Sequence, residues 1–249
     1  MPLSSLGIVG DDGYRERPSR LDGAVLWTRT VTRTEEPLPV LPDGCMDLLW
    51  RDGALFVAGP DTTAHPAGSP KPARYTGLRF FPGTAPALLG VPAHELRDQR
   101  VELANLWPAA TVRELAGRVS DAPDRAAALE SIALRRAAEV EPPDPLLRRV
   151  VAALRAGRSV AATADAAGVG ARLLHRRSLA AFGYGPKTLV RILRLQRALA
   201  DVHAGTPPAD VAIAAGYADQ AHLSRDMREL AGMTLTEWTA RRGRDRATA

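Results

Sequence analysis

The strongest constraint on the fold of this 249-residue chain is a pattern that occurs twice near its C-terminal end. Ala166-Ala167-Gly168 recurs as Ala214-Ala215-Gly216, a shift of 48 residues, and Arg176 recurs as Arg225, a shift of 49. Each copy predicts a short Ala-rich helix, a turn at the Gly and a second helix that carries the Arg, which is the outline of a helix-turn-helix. Two such units in tandem predict a C-terminal half that reads DNA.

Positive charge is concentrated in the same half. Residues 144–249 carry 17 Arg and Lys against 9 Asp and Glu, a net charge of +8, whereas residues 1–143 carry 16 and 19, a net of −3. A basic half favours a polyanionic partner, here double-stranded DNA. Arg enrichment in a GC-rich genome would produce the same composition. Charge alone therefore does not decide between DNA binding and a bias of genome composition.

The composition predicts a folded cytoplasmic protein without a membrane-spanning segment. Hydrophobic residues make up 45% of the chain and charged residues 24%, which is enough for a packed core. No apolar run approaches the ~20 residues of a membrane span, and no secretory signal is visible at the N-terminus. The single cysteine, Cys45, cannot form an internal disulfide.

Three prolines within residues 141–145 mark the clearest domain boundary. We expect a sensor or dimerisation domain over residues 1–143 and a DNA-binding domain over residues 144–249. The predicted fold class is α+β, a β-rich N-terminal domain with helices followed by an all-α double helix-turn-helix domain. Within residues 1–143, the patterns predict an irregular segment over 1–20, a loop over 59–72, helices over about 84–140, and strands over 24–32, 46–50, 55–58 and 75–81.

Apolar spacing and capping residues predict the helices of the second half. Asp144 and Ser159 are predicted N-caps, and Asp219 is the predicted N-cap of the second recognition helix. Trp238 is expected to anchor the core from a short final helix. The remaining helices are predicted over residues 145–156, 160–167, 171–182, 187–203 and 209–215, with the second recognition helix ending near residue 230.

Polar side chains on one face of each recognition helix are the candidates for reading bases. On the first helix these are Arg172, His175 and Arg176, at offsets of three and four residues. Arg can bind the two acceptors of guanine, and His can donate to a base or a phosphate. On the second helix, the residues expected to point outward are Gln220, Ala221, Ser224 and Arg225.

The run from Ala214 to Met227, continuing to Gly232-Met233-Thr234, resembles the signature of the AraC/XylS family of transcription regulators. Residues 194–198 resemble the linker-helix motif of the same family. The resemblance covers about residues 145–240 and implies a seven-helix domain whose two helix-turn-helix units enter neighbouring major grooves on one face of DNA. It also implies RNA polymerase as a partner if the protein is an activator.

The first unit departs from the family pattern at two positions. Gly170 stands where a Ser cap is usual, and Ser178 stands where an aromatic residue is usual. Both changes predict a less rigid first unit with a partly relaxed preference for its half-site. Leu235, in place of a usual Pro, is expected to matter little.

Arg191, Arg194 and Arg197 recur every third residue along the helix between the two units. Either these side chains form a solvated or acid-paired face, which we favour, or they contact DNA phosphates.

The N-terminal half resembles sensor domains found in a subset of AraC-like regulators, through residues 42–48, 57–60 and 77–83. The resemblance implies a small-molecule effector or a homodimer, without naming the effector. Arg79 and Trp50 are the candidate ligand residues. Arg79, on an otherwise apolar strand, could meet an anionic ligand or pair with an acid such as Asp47, and aromatic residues such as Trp50 are more often core.

Chemistry other than DNA binding has weaker support in the sequence. Cys45 could serve as the acceptor of a DNA alkyl-damage repair protein, but Asp43 and Asp47 oppose a thiolate and a buried, inert Cys is the better interpretation. His65 and His94 have no nearby Cys, so no metal site is predicted. We expect no cofactor and no catalytic residue, and the remaining alternative is a nonspecific architectural DNA binder.

Overall fold

The structure is a computed structural model and describes residues 13–31, 38–67 and 72–247. The strands in these ranges are β1 (Arg15–Pro18), β2 (Ala24–Val31), β3 (Met46–Arg51), β4 (Ala54–Ala58), β5 (Ala73–Phe80) and β6 (Arg100–Glu102). The helices of the N-terminal half are α1 (Ala85–Leu89), α2 (Ala109–Asp121) and α3 (Arg125–Glu139), with 3-10 turns at Ala93–Glu95 and Leu103–Asn105. The helices that follow are α4 (Pro145–Arg155), α5 (Val160–Ala166), α6 (Ala171–Phe182), α7 (Pro186–His203), α8 (Pro208–Ala214), α9 (Gln220–Ala231) and α10 (Leu235–Ala247).

The six strands form one antiparallel sheet in the order β1-β2-β5-β3-β4-β6. Alternate side chains of each strand point to opposite faces. Leu26, Leu48 and Leu78 belong to the core that α1, α2 and α3 cover. Their neighbours along the chain, including Asp47 and Arg79, line a cavity on the other face.

The helices α4 to α10 pack around a second apolar core, and the fold is therefore of the mixed α+β class. Residues of α7 lie at its centre, with Leu189 and Ile192 fully buried. Phe182 and Met227 bring the two recognition helices against this centre. Each large apolar side chain buried in this way contributes roughly 1.5–3 kcal/mol to folding. Within the part of the chain that the structure describes, no helix is long and apolar enough to span a bilayer.

The two cores meet through a short segment between β2 and β3. Leu41 belongs to the core of the helical half, although it precedes the strand β3 in the chain. The Gln196 side chain on α7 donates a hydrogen bond of 2.6 Å from its Nε2 atom to the backbone oxygen of Pro42. A Cβ atom on Gly44 would lie 3.3 Å from the Leu189 side chain, so the backbone passes close to α7. The two halves are thus in direct contact.

The capping residues predicted for the helical half are confirmed. Asp144 accepts from the Leu146 amide at 2.9 Å, Ser159 from the Ala162 amide at 3.1 Å, and Asp219 from the His222 amide at 2.7 Å. The helix α6 spans the predicted residues, and α7 and α8 each begin one residue earlier than predicted. The final helix is longer than expected, at 13 residues.

Two strands differ from the sequence-based expectation. The segment 1–20 was expected to be irregular, yet β1 pairs with β2, while residues 1–12 lie outside the described part of the chain. The region from residue 84 was expected to be helical, yet β6 pairs with β4. Both are short strands at the two edges of the sheet, and β1 is exposed along its whole length. Neither carries the apolar alternation that marks a half-buried strand.

Candidate nucleic-acid interface

The first helix-turn-helix unit consists of α5 and α6. Between them, Gly168 has a φ of 65°, a left-handed conformation that glycine adopts at little cost. The N-cap of α6 is Gly170, which has no side chain to cap the helix. Leu174 and Phe182 are buried and hold α6 against the core. The geometry of the turn therefore orients α6 without help from a cap at its first residue.

The predicted base-reading residues of α6 are all exposed. Arg172, His175 and Arg176 lie on the side of α6 away from its buried residues. The His175 ring also packs against the next turn, because a Cβ atom on Gly185 would come within 2.8 Å of its Nε2 atom. Arg177, which was not among the predicted residues, pairs with Asp144 at 3.2 Å. Three polar side chains of α6 are thus accessible to a ligand.

The second unit consists of α8 and α9, joined by a turn in which Gly216 has a φ of 84°. Of its predicted base-reading residues, Gln220, Ala221 and Arg225 are exposed and Ser224 is half-buried. The opposite side of α9 is apolar and lies in the core, where its buried residues include Leu223, Met227 and Leu230. The helix α9 therefore presents a polar face to solvent, as α6 does.

An ion cluster fastens α9 to α7. The carboxylate of Asp226 lies 2.8 Å from Nη2 of Arg191 and 2.9 Å from Nη2 of Arg194. Burial opposes ionisation of Asp226, but the hydrogen bonds from the two arginines outweigh burial and hold its pKa below the ordinary value. The Arg194 guanidinium also lies 4.2 Å from the ring centroid of Tyr217. Arg191 and Arg194 thus form an acid-paired face, as the favoured interpretation of their spacing predicted.

The end of α6 contacts the N-terminal half. Gly183, just after α6, has a φ of 84°, and a Cβ atom there would lie 2.5 Å from Cγ of Pro60. Arg97 donates a hydrogen bond of 3.4 Å from Nη1 to the backbone oxygen of Gly183. Gly83, after β5, lies against the Phe182 ring in the same way, at 3.0 Å for an added Cβ. The first unit is therefore braced by residues that lie far from it in the sequence.

The two candidate ligand residues of the N-terminal half lie on opposite faces of the sheet. Arg79 is buried and faces the cavity, with its Nε atom 3.4 Å from Asp47 and 3.7 Å from Asp43. Internal pairing with Asp47, one of the two alternatives for Arg79, is therefore observed. Trp50 lies in the core beneath the helices, and its Nε1 atom donates to Ser120 at 3.2 Å. Trp50 makes no part of the cavity wall.

Comparison with known families agrees with this geometry. Residues 163–241, from α5 into α10, match the model of a helix-turn-helix domain family. Together with the tandem units, this match decides the classification. The C-terminal half carries an AraC-type helix-turn-helix domain. Residues 24–102, which include β2 to β6, match a domain of unknown function (DUF6597).

Solved structures of ToxT from Vibrio cholerae are similar to the chain at low identity. One, from strain O395, is 8% identical, with a TM-score of 0.47, and the match covers 89% of this chain and 98% of that one. A second, in a P21 crystal form, is also 8% identical, with a TM-score of 0.49 and coverage of 88% and 99%. No curated protein sequence matches the chain.

Sequence reasoning missed the partner of the two arginines of α7. Asp226 lies within the family-like run, but its role depends on α7 and α9 packing side by side, and spacing along the chain does not reveal this packing. It named Arg79, which lines the cavity, but it missed the part of the wall that the helical half supplies, because that part depends on packing between the two halves. A further signal was the alternation in β3, which places Asp47 and Arg51 on the cavity face and the buried Met46, Leu48 and Trp50 on the other.

Proposed function

We propose that this regulator binds specific DNA sequences through α6 and α9, and that its N-terminal half senses a small molecule or mediates dimerisation. The proposed units are residues 1–143 and 144–249. The observation that carries the proposal is that each recognition helix turns a polar, accessible face to solvent while α7 fixes both helices to one core. The proposed base-reading residues are those predicted from the sequence: Arg172, His175, Arg176, Gln220, Ala221, Ser224 and Arg225.

Binding by two recognition helices on one face of DNA implies two subsites about one helical turn, roughly 34 Å, apart. Phosphate contacts from the basic half would position the protein and make affinity fall as salt rises. Because Arg191 and Arg194 are paired with Asp226, we assign the positioning role to other cations of the helical half.

The test begins with mapping of binding sites across a genome with the purified protein. Fluorescence anisotropy on the strongest site then compares wild type with Arg225→Ala. We expect the substitution to weaken specific binding by about 1–3 kcal/mol and to relax preference at one base pair. Arg118→Ala, on the exposed side of α2, is the matched control and should leave DNA affinity unchanged. An equal loss on random DNA would indicate a nonspecific architectural binder instead.

The sensing role is supported by the cavity on the open face of the sheet, whose volume of about 490 Å³ falls in the range of small-molecule sites. A homodimer and contact with RNA polymerase are proposals drawn from the family. Sedimentation of the full chain with and without its DNA site tests the former, and transcription in a reconstituted system tests the latter.

A repair function through Cys45 is disfavoured by its surroundings. The thiol is buried, and burial together with the nearby Asp43 carboxylate raises its pKa well above the ordinary value. A reactive cysteine needs the opposite environment. A methyl-transfer assay on alkylated DNA should show no activity that depends on Cys45, with Cys45→Ser as the comparison.

A further inference from the structure

The two recognition helices share a frame that allows a comparison position by position. Each has 12 residues, begins directly after its N-cap residue, Gly170 or Asp219, and is followed by a left-handed glycine. Arg176 and Arg225 are each the sixth residue of their helix. Residues at the same position therefore occupy equivalent places in the two helix-turn-helix units.

Burial shows that equivalent positions also face the same way. At the fourth position, Leu174 and Leu223 are both 1% exposed, and at the eighth, Ser178 and Met227 are both fully buried. The second and sixth positions lie on the opposite side of each helix, and the first and fifth lie beside them. Of the eight residues at these four positions, seven are exposed and Ser224 is half-buried. The side chains at these positions therefore decide what each unit offers to DNA.

The sixth position carries an arginine in both helices. Neither the Arg176 nor the Arg225 side chain makes an ion pair or a hydrogen bond among the described residues, whereas Arg177 is paired with Asp144. Binding to DNA therefore breaks no internal contact of these two guanidiniums. A guanidinium can donate two hydrogen bonds to the O6 and N7 atoms of guanine, which is the commonest specific contact in the major groove. We therefore expect each subsite to contain one guanine at an equivalent place.

The second position differs between the helices. It is Arg172 in α6 and Ala221 in α9, both exposed, and Arg172 makes no ion pair among the described residues either. Arg172 and Arg176 are four residues apart, so their Cβ atoms are about 6 Å from each other on one face of α6. Successive bases of a DNA strand are about 3.4 Å apart along the helix axis. Two arginines at this spacing match two guanines within about two base-pair steps.

The helix α9 offers different chemistry at its start. The methyl group of Ala221 has no donor for guanine, but it can contact the C5-methyl group of thymine. Gln220, at the first position, carries an amide that can bind the N6 and N7 atoms of adenine, whereas the first position of α6 is Ala171. The hydroxyl of Ser224, at the fifth position, can both donate and accept, so it adds little selectivity. A·T pairs therefore fit the start of α9, where a guanine fits the start of α6.

We propose that the two units read different base sequences and that the second helical position decides the difference. In the first subsite, Arg172 and Arg176 contact two guanines. In the second, Arg225 contacts one guanine, and Gln220 and Ala221 contact neighbouring A·T pairs. The inference rests on the proposed function, because it assigns bases to helices already proposed to read DNA. A target site of this kind has a direction, so one protein molecule binds it in one orientation.

Selection from randomised double-stranded DNA by the purified full chain tests the proposal. We expect two enriched blocks about one helical turn, roughly 34 Å, apart. One block should hold two guanines within about two base-pair steps, and the other a single guanine beside A·T pairs. Two blocks of the same sequence, or two blocks without the pair of guanines, would overturn the proposal and leave the proposed function intact. Enrichment of no sequence at all would instead refute the proposed function.

Reciprocal substitutions then assign each block to its helix. Ala221→Arg should change one preferred base pair of the A·T-containing block to G·C, and Arg172→Ala should remove the preference for one guanine of the other block. Competition binding with oligonucleotides that differ at a single base pair measures each preference, and we expect a change of about tenfold or more in the ratio of affinities. The control Ala138→Arg, at an exposed position of α3, adds the same charge and should alter neither block.

Several outcomes of these substitutions would contradict the assignment. If Ala221→Arg tightens binding to every sequence alike, the new guanidinium contacts phosphates rather than a base. If Arg172→Ala weakens binding to every sequence alike, the same holds for Arg172. If both substitutions alter the same block, the two helices do not read separate subsites. Since both side chains are exposed, the variants should melt as wild type does, and a folded variant that keeps the wild-type preferences also refutes its assignment.

Discussion

The two helix-turn-helix units contain recognition helices of equal length, 12 residues, but they are held in place by different means. The first, α6, starts without a side-chain cap at Gly170 and ends against Pro60 of the N-terminal half. The second, α9, starts at the Asp219 cap and is fastened to α7 through Asp226. The first unit is thus in direct contact with the N-terminal half, whereas the second unit is fixed to α7 by ion pairs.

The largest effect is expected from substitution of Asp226, which removes the ion pairs that hold the second unit against α7. Asp226→Ala leaves the partly buried Arg194 without a carboxylate and leaves Arg191 paired with Glu229 alone. Removing one partner of a buried pair destabilises a protein by about 3–5 kcal/mol in general. Since Arg191 remains partly exposed to water, we expect about 3 kcal/mol from denaturant unfolding. Asp165→Ala, at an exposed position of α5, is the control. Losses of equal size in both variants would show that the ion cluster does not hold the second unit.

The Asp226 carboxylate also predicts that the stability of the protein depends on pH. The pKa of Asp226 is lower in the folded protein than its ordinary value, so its contribution to stability is present at neutral pH and disappears as the pH falls through the folded-state pKa. We expect wild type to lose more stability than Asp226→Asn below a pH of about 4. Parallel curves of unfolding free energy against pH for the two proteins would contradict this.

The next largest effect is expected from substituting the glycines that end the two recognition helices. Gly183 and Gly232 have φ values of 84° and 67°, so Ala at either position is strained by about 1 kcal/mol. At Gly232 an added Cβ meets nothing within 4 Å, whereas at Gly183 it would lie 2.5 Å from Pro60. Gly183→Ala should therefore destabilise the chain by about 1–3 kcal/mol more than Gly232→Ala, as overpacking does. Equal melting temperatures of the two variants would show that the contact between Gly183 and Pro60 can adjust to the added methyl group.

The parts of the fold that the sequence predicts well depend on neighbouring residues. Ser159 and Asp219 each cap a helix through an amide three residues away, and Gly168 forms its turn by its own φ. Local chemistry of this kind is visible in a single sequence. The positions and exposure of Arg176 and Arg225 follow from it, because helix periodicity alone separates the apolar face from the polar one.

The parts that could not be predicted depend on contacts between distant segments. The two alternatives for Arg79 could not be separated, because its pairing with Asp47 requires the register between β3 and β5. The edge strands β1 and β6 are too short to carry a period, and the segment between β2 and β3 contacts the helical half only because Leu41 enters its core. Each of these features depends on tertiary contacts, which no local sequence pattern reveals.

A smaller effect is expected at Ser178, where α6 carries a hydroxyl in the core. The side chain is fully buried, and its Oγ atom has no hydrogen-bond partner among the described residues. Ser178→Ala removes an unsatisfied polar group and should stabilise the first unit by about 1 kcal/mol, measured by thermal unfolding. Ser131→Ala in α3, whose hydroxyl donates to the Ala127 oxygen at 2.8 Å, should not stabilise the protein. A loss of stability in Ser178→Ala would mean that the hydroxyl is satisfied in solution.

The smallest expected effects come from exchanging the caps of the two recognition helices. Asp219→Ala removes the acceptor of the His222 amide and should destabilise α9 by about 1 kcal/mol. Gly170→Ser supplies an acceptor at a position with extended backbone and open space around an added Cβ, and should stabilise α6 by roughly a few tenths of a kcal/mol. Amide hydrogen exchange of the first turn of each helix measures both effects separately. If the chain with both substitutions still protects α9 better than α6, the ion pairs of Asp226 rather than the caps account for the difference between the two units. If protection becomes greater in α6 than in α9, the caps account for the difference between the two units.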